Sequence, residues 1–255
     1  MKLKTKLTLI AGILASSVTL NANAGIITNQ TELLSGDNHE QLALWMGNDF
    51  DLTRIFAKGI DGNTSEEWHD LVDKQGATIT VMEVFNGDDR MIIGGYNKYN
   101  WNIDNPTLTS TNKDNFLFNL STGIQYQKND NTNDLVHSFD HYGIRFGVGD
   151  ISVNSTLSSG TTNIGHSYGD REYWRDEEYI NEFTGSFNSW VIGSYETYLI
   201  SDPTGAFGTG AIPSNLVEVN GASGEQSGVS DVPFEHSVAA FGLLALFCTR
   251  KKKQP

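Results

Sequence analysis

The stretch Gly165-His166-Ser167-Tyr168-Gly169 has the Gly-x-Ser-x-Gly spacing of a nucleophile elbow. In hydrolases that use it, the serine sits on a sharp turn between a buried strand and a helix. An acid and then a histidine follow it in the chain. The surroundings of Ser167 meet these needs poorly. Residues 154–163 before it are polar, with one leucine, and read as a loop. The one histidine after it is His236, near the C-terminus. An earlier histidine such as His69 could complete a triad, because triads recur in unrelated chain orders. No oxyanion-hole sequence accompanies it. The expectation is a loop whose glycines permit the turn and whose Tyr168 packs inward; Ser167 stays a candidate nucleophile against that expectation.

Three other constellations could do chemistry. His137-x-x-x-His141, with Asp140 beside it, has the spacing of metal ligands on a helix. Leu135, Val136 and Phe139 alone could support that helix and Gly143 stops it, so surface or strand-end histidines are expected instead. Asp130-x-Thr132-x-Asp134 begins like a calcium loop. It lacks the glycine at the sixth position and the glutamate at the twelfth, where His141 stands, so a solvated turn is expected. His69 lies beside Trp68 on a predicted helix. It either makes structural hydrogen bonds or serves a site with Asp61 and Glu196. No metal and no cofactor is expected.

The elements that must position these residues are mostly strands. A helix is predicted within residues 30–48, begun by a capping-box-like Asp37-x-x-Glu40, with Leu42, Trp45 and Met46 on one face and Gly47 ending it. A second begins at the capping box Thr64-x-x-Glu67, buries Trp68, Leu71 and Val72, and closes at Gly76. From Ala77 the period becomes two. ATITVMEVF, the turn NGDD and RMIIGGY form a hairpin, and FLFNL (116–120) and GIQYQK are neighbours. NDNTND (129–134) is a polar loop, GIRFGVGDISV (143–153) a strand with glycine kinks, and SWVIGSYETYLI (189–200) a last strand. Short strands with Asn/Gly turns and no βαβ rhythm predict an α+β, mainly β fold: an antiparallel two-sheet β-sandwich flanked by helices.

The ends carry addresses. Three lysines within residues 2–6, the apolar run 7–20 and Ala22-Asn23-Ala24 follow the order of a secretory signal peptide cleaved between Ala24 and Gly25. Residues 201–231 read as a Gly/Ser-rich linker. Val232-Pro233, the eleven apolar residues 238–248 and Arg250-Lys251-Lys252-Lys253 form residues 232–255. Eleven residues are too few to span a bilayer, which takes about 20, but the basic cluster acts as a stop on the cytoplasmic side. This layout resembles the PEP-CTERM sorting signal of Gram-negative bacteria, although Phe234 stands where the motif has other residues and its second proline is missing. The resemblance implies processing by an exosortase, transient contact with the inner membrane, and a cell-surface or extracellular location; the alternative is an uncleaved tail that serves as a short C-terminal membrane anchor. Cys248, in the tail, is the single cysteine, so no disulfide can form within the chain. Formal net charge is −14. Without the three leader lysines it is −17, and without the four basic tail residues −21. Such a balance disfavours a nucleic-acid partner, whose phosphates need Lys and Arg, and none is expected.

Over residues 30–200 the chain resembles the TLDc domain family. Asp61-Gly62 matches an early Asp-Gly, and Trp68-His69 stands where Phe-His is common. Gly76 and Thr78 precede a strand. Gly94-Gly95-Tyr96 with Trp101, Phe116-Leu117-Phe118 with Leu120, Gly143, Phe146, Gly147, Asp150 and Ile151 follow in family order. Gly165, Ser167 and Tyr168 resemble a loop of bacterial members, and Glu196 stands in the closing strand. Val72 replaces a cysteine common in the family. The resemblance implies a β-sandwich over residues 25–200 and a link to oxidative-stress resistance in eukaryotic members, some of which bind the V-type ATPase. It implies no catalytic reaction. The expected function is therefore an exported, non-catalytic interaction or protective module. The alternatives are a secreted hydrolase or redox-linked enzyme near His69 and Glu196, or a module binding extracellular polysaccharide or a surface protein. The glycan reading rests on exposed aromatics at residues 96–101 and 168–174.

Overall fold

A computed structural model describes residues 27–28, 32–34, 36–47, 50–185 and 189–201. The expected leader with its Ala24/Gly25 junction, the linker beyond Ser201, and the tail with Val232, Pro233 and the 250–253 basic cluster lie outside the described residues. Strand β1 is Ile27–Thr28 and a 3-10 turn covers Glu32–Leu34. Helix α1 is Asp37–Met46, shorter than expected, and Asp37/Glu40 form no capping box. Gly36 is the N-cap and no side chain caps the helix. Gly47 ends it in the left-handed conformation, as a glycine can without a Cβ penalty. The buried face is Leu42, Ala43 and Met46, while Trp45 is half-buried against Phe118.

Strand β2 is Asp51–Ala57 and helix α2 is Ser65–Val72. Its capping box forms as the sequence predicts: the Thr64 side chain accepts from the Glu67 N–H, and Glu67 Oε2 accepts from the Thr64 N–H at 3.1 Å. The buried stripe is Ser65, Trp68, His69 and Val72, at i, i+3, i+4 and i+7. Leu71 corrects the expectation. It is 41% exposed, because it falls roughly 100° around the helix from that stripe. Gly76 is not the C-cap either. The helix leaves through Asp73, whose backbone is extended, followed by Lys74 at φ 63°.

Ten further strands follow: β3 Thr78–Asn86, β4 Asp89–Asn97, β5 Thr107–Thr109, β6 Phe116–Asn119, β7 Ile124–Gln127, β8 Asp134–His137, β9 Tyr142–Phe146, β10 Ile151–Asn154, β11 Ser159–Thr162 and β12 Trp190–Ser201. Helix α3 is Glu177–Thr184. The expected single strand over 143–153 is two strands, β9 and β10, because Gly147 (φ 55°) and Gly149 (φ 92°) turn the chain back on itself. Residues 154–163, expected to be loop, contain β11. Its Ser and Thr side chains hide the alternation, and its Gly160 leaves room for the Trp190 ring, which an added Cβ would meet at 2.2 Å.

The strands form one network in the order β5-β8-β9-β10-β11-β12-β3-β4-β6-β7, with β2 also on β12 and β1 on β2. Every pair but β1–β2 is antiparallel. The network folds over itself. Phe146 of β9 presses on Gly95 of β4, where a Cβ would stand 2.6 Å from its ring, although β4 and β9 are far apart in the strand order. The fold is thus mainly β, two leaves face to face with helices outside. Met82, Val84, Phe146, Ile151, Tyr195 and Trp68 share the core between the leaves. Ile79, Val81, Phe118 and Tyr198 turn to a second core under α1. β3 is therefore apolar on both faces, as a central strand must be.

Candidate functional site

The Ser167 loop is closed. Ser167 is 0% exposed. Its backbone N–H donates to Asp150 Oδ1 and Oδ2 at 2.9 and 3.1 Å, and that of Tyr168 to Oδ1 at 3.0 Å. Ser167 Oγ accepts from the Val148 N–H at 3.1 Å and from Thr132 Oγ1 at 3.0 Å. The Tyr168 hydroxyl donates to the Leu135 carbonyl at 2.9 Å. Gly165 (φ 91°) and Gly169 (φ 82°) take the positive angles that make the turn, so the expectation about the glycines and Tyr168 holds. No histidine ring faces the serine hydroxyl among the described residues. The His166 ring turns away to the edge of Trp174, centroids 4.9 Å apart. No helix follows the serine directly; a 3-10 turn begins at Arg171. This is an Asp-anchored turn rather than an elbow.

Asp150 is the residue whose importance the sequence understates. It is fully buried, and burial pushes its carboxyl up to about 7, against the downward pull of hydrogen bonds from Tyr168, Ser167 and His166. The signal was the run Gly147-Val148-Gly149-Asp150, a tight turn ending in a carboxylate. Burial also holds the Tyr168 phenol well above its ordinary value.

His69 is a tie between elements. Its Nδ1 is 2.7 Å from Asp73 Oδ1, and its Nε2 is 3.1 Å from the carbonyls of Phe139 and Tyr142. Carbonyls only accept, so Nε2 carries the hydrogen. Asp73 Oδ2 in turn accepts from the Ile103 N–H at 2.6 Å. The ring is 3% exposed and both nitrogens are occupied. The structure does not join it to the expected partners. Asp61 accepts from the Ala57 N–H at 2.8 Å. Glu196 accepts from the Tyr198 hydroxyl at 2.8 Å, and Tyr198 belongs to the core under α1. Trp68 bonds Thr197 on the other face of β12, so α2 and Glu196 lie on opposite sides of one strand.

A cleft of about 880 Å³ opens beside α2, lined by Glu66, Asp70, Asp73, Asp104, Asp140 and His141 among others. Its carboxylates are dispersed: no group of three metal-ligating side chains exists among the described residues. His137 ends β8 and His141 is exposed, with the Phe139 ring stacked between them at 5.5 and 5.7 Å, as expected for strand-end histidines. Burial lowers the His137 pKa, Asp134 opposing and Arg145 adding to it. Asp130 pairs with Lys113 at 2.8 Å and Thr132 bonds Ser167, so the calcium-like spacing is spent on the loop.

The aromatic shelf expected at 96–101 does not exist. Tyr96, Tyr99, Trp101 and Tyr168 are buried. Trp101 Nε1 donates to Thr78 and its ring packs on Trp68 and Phe146. The Phe116 and Phe118 rings pack at a tilt against Tyr96 and Trp45. Gly62 abuts the Glu67 side chain, and a Cβ on Gly94 would stand 2.1 Å from the Thr80 carbonyl. Tyr173 alone of that set is well exposed, and two guanidinium groups lie over the Trp174 ring, Arg171 at 3.8 Å and Arg175 at 4.2 Å.

The residues that carry the resemblance are thus those that build the two cores and the turns between them. A search of curated proteins finds no match. The TLDc domain family model matches residues 26–188, which is most of the chain. With that match and this architecture, the chain belongs to the TLDc domain family.

Proposed function

We propose that this TLDc domain is an exported, non-catalytic interaction module. It serves a protective role of the oxidation-resistance kind at the cell surface. In this reading the leader is removed at Gly25 and an exosortase-type enzyme processes the tail. The observation that carries the non-catalytic part is the closure of Ser167 and His69. Each polar atom that could attack or abstract a proton is buried and already hydrogen-bonded. A general base must reach a substrate proton within about 3.2 Å, directly or through one water. Ser167 is sealed in its loop, and His69, which borders the cleft beside α2, has both ring nitrogens engaged, so neither has a free atom for that approach.

A fluorophosphonate probe and an ester substrate test this reading on the exported protein. The expected result is no labelling and no hydrolysis. Labelling abolished by Ser167→Ala would put the hydrolase first. Intact mass tests the address: a mature chain beginning at Gly25 and lacking the 250–253 cluster is expected. A mass that retains the cluster would mean an anchored tail.

A further inference from the structure

The outer face of β9, β10 and β11 carries a feature that the TLDc core does not need. Arg145 of β9 pairs with Ser152 of β10, and Ser152 with Thr161 of β11, so the three side chains stand in one row. Tyr142 and Asn154 form the adjacent row. The inward neighbours Ile144, Phe146, Ile151 and Val153 fill the core, so period-two alternation turns Arg145, Ser152 and Asn154 outward, and the register shift between Ser152 and Asn154 brings Tyr142 to the same face. With Asn163 these residues line a concavity of about 430 Å³, within the roughly 300–1,000 Å³ of small-ligand sites.

Arg145 has no ion-pair partner among the described residues. Lys74, Arg90, Lys98 and Lys113 each pair with a carboxylate. Among the described residues none pairs with Arg145, and no carboxylate lines the concavity. The two nearest acids in sequence are engaged elsewhere: Asp140 pairs with His141, and Asp150 is turned inward to the Ser167 loop. Arg145 Nε is shut off from solvent without a hydrogen-bond partner. A buried donor left unmatched is costly and is rare in folded proteins. The guanidinium is held in place instead by the face of Tyr142, 4.7 Å from the ring centroid. What sets Arg145 apart from other cations without an ion pair, such as Lys58 and Lys128, which donate to backbone carbonyls, is its place in a hollow that no carboxylate lines.

We infer that this concavity binds a sugar acid, with Arg145 taking the ligand's carboxylate and Ser152, Asn154, Thr161 and Asn163 meeting its hydroxyls. Nε is shut off, but the two terminal nitrogens form a fork that matches a carboxylate in two parallel bonds. A hydroxyl- and amide-lined wall offers both donors and acceptors, which suits a polyhydroxylated ring better than an apolar ligand. The inference deepens the interaction-module reading by naming a ligand class and rests on that reading.

The test is an NMR titration of the full exported chain, reading the Arg145 Nε–H and the amides of β9–β11. The probes are sodium galacturonate, galactose and sodium sulfate. Galacturonate is expected to move these signals saturably, galactose not at all, and sulfate at least about tenfold more weakly. Arg145→Gln is expected to abolish the galacturonate shifts at unchanged melting temperature. Arg145→Lys, which keeps charge and stem but loses the fork, is expected to weaken binding by about tenfold. If Arg145→Gln fails to fold, the lysine variant decides. Absence of galacturonate shifts, galacturonate binding undiminished in the variant that decides, or sulfate binding as tightly, an adventitious ion only, would each overturn the inference. None of these outcomes touches the non-catalytic reading, which fails only on probe labelling or ester hydrolysis.

Discussion

Asp150 and Ser167 reverse the roles their motif suggests. The serine is a spacer whose hydroxyl accepts two hydrogen bonds, and the aspartate is the anchor. Ser167→Ala should leave the Val148 N–H and Thr132 hydroxyl unmatched and destabilise by about 1–3 kcal/mol, without loss of any activity. Asp150→Ala frees two buried backbone N–H groups at once, and chemical denaturation should show the larger loss. The pH dependence has a definite sign. The Asp150 carboxyl is raised from 3.8 in the unfolded chain to about 7 in the fold. The native state therefore binds the extra proton between these values. This contribution is fully present below about pH 4 and is lost as pH rises to about 7, at no more than about 1.4 kcal/mol per pH unit. Denaturant midpoints at pH 5 and pH 7 should show this falling component in the wild type and not in Asp150→Asn. Gly165→Val should melt early, since φ 91° disfavours a β-branched side chain and its Cβ would stand 3.0 Å from the Asp170 carbonyl.

Helix α2 shows how an element converts a side chain into a joint. Its capping box sets where the helix begins, and its stripe delivers Trp68 to β12 and His69 to the β8–β9 connection. Trp68 Nε1 donates to Thr197 Oγ1 at 2.8 Å, and its ring meets Trp101 and Tyr195 edge-on. Trp68→Ala should therefore destabilise by ~3–5 kcal/mol, the range of buried aromatic truncations. Leu71→Ala, one turn-face away and exposed, should stay within about 0.5 kcal/mol. Thermal unfolding of the pair checks the assignment of the stripe. Equal shifts would mean that α2 packs by its other face. Thr64→Ala should remove about 1 kcal/mol through the cap alone.

The whole molecule depends on close approach of its two leaves. Gly95 leaves room for Phe146, and Leu117 also closes on that spot, where a Cβ would stand 2.9 Å away. Gly95→Val should cost about 3 kcal/mol or more by overpacking, roughly 6–12 °C in melting temperature for a domain of this size. A calorimetric scan showing an unchanged melting temperature would mean that the leaves are not tightly apposed. β12 extends the same argument. It lies past the matched residues 26–188, yet it pairs with β2, β3 and β11 and so stands at the branch of the network.

Much of this was legible in the sequence because local physics sufficed. The Thr64/Glu67 box, the β3–β4 hairpin with its NGDD turn, the β6–β7 pair and β12 all announce themselves through capping chemistry or β-branched and aromatic runs. The positive φ of Gly165 and Gly169 followed from the turn they had to make. Ordered motif residues identified the family, since they are the side chains and glycines that the two cores require. Tertiary structure alone decided where polar groups ended up. Whether Leu71 or His69 faces the core depends on what α2 meets, and Tyr96, Tyr99 and Trp101 are buried because the opposing leaf covers them. β11 was hidden because its Ser, Gly and Thr residues carry no hydrophobic alternation, and it is a strand only through its neighbours β10 and β12. Arg145 gave no signal at all. A single arginine in an alternating strand looks like any solvated charge, and only the folded sheet sets it in a hollow that no carboxylate lines.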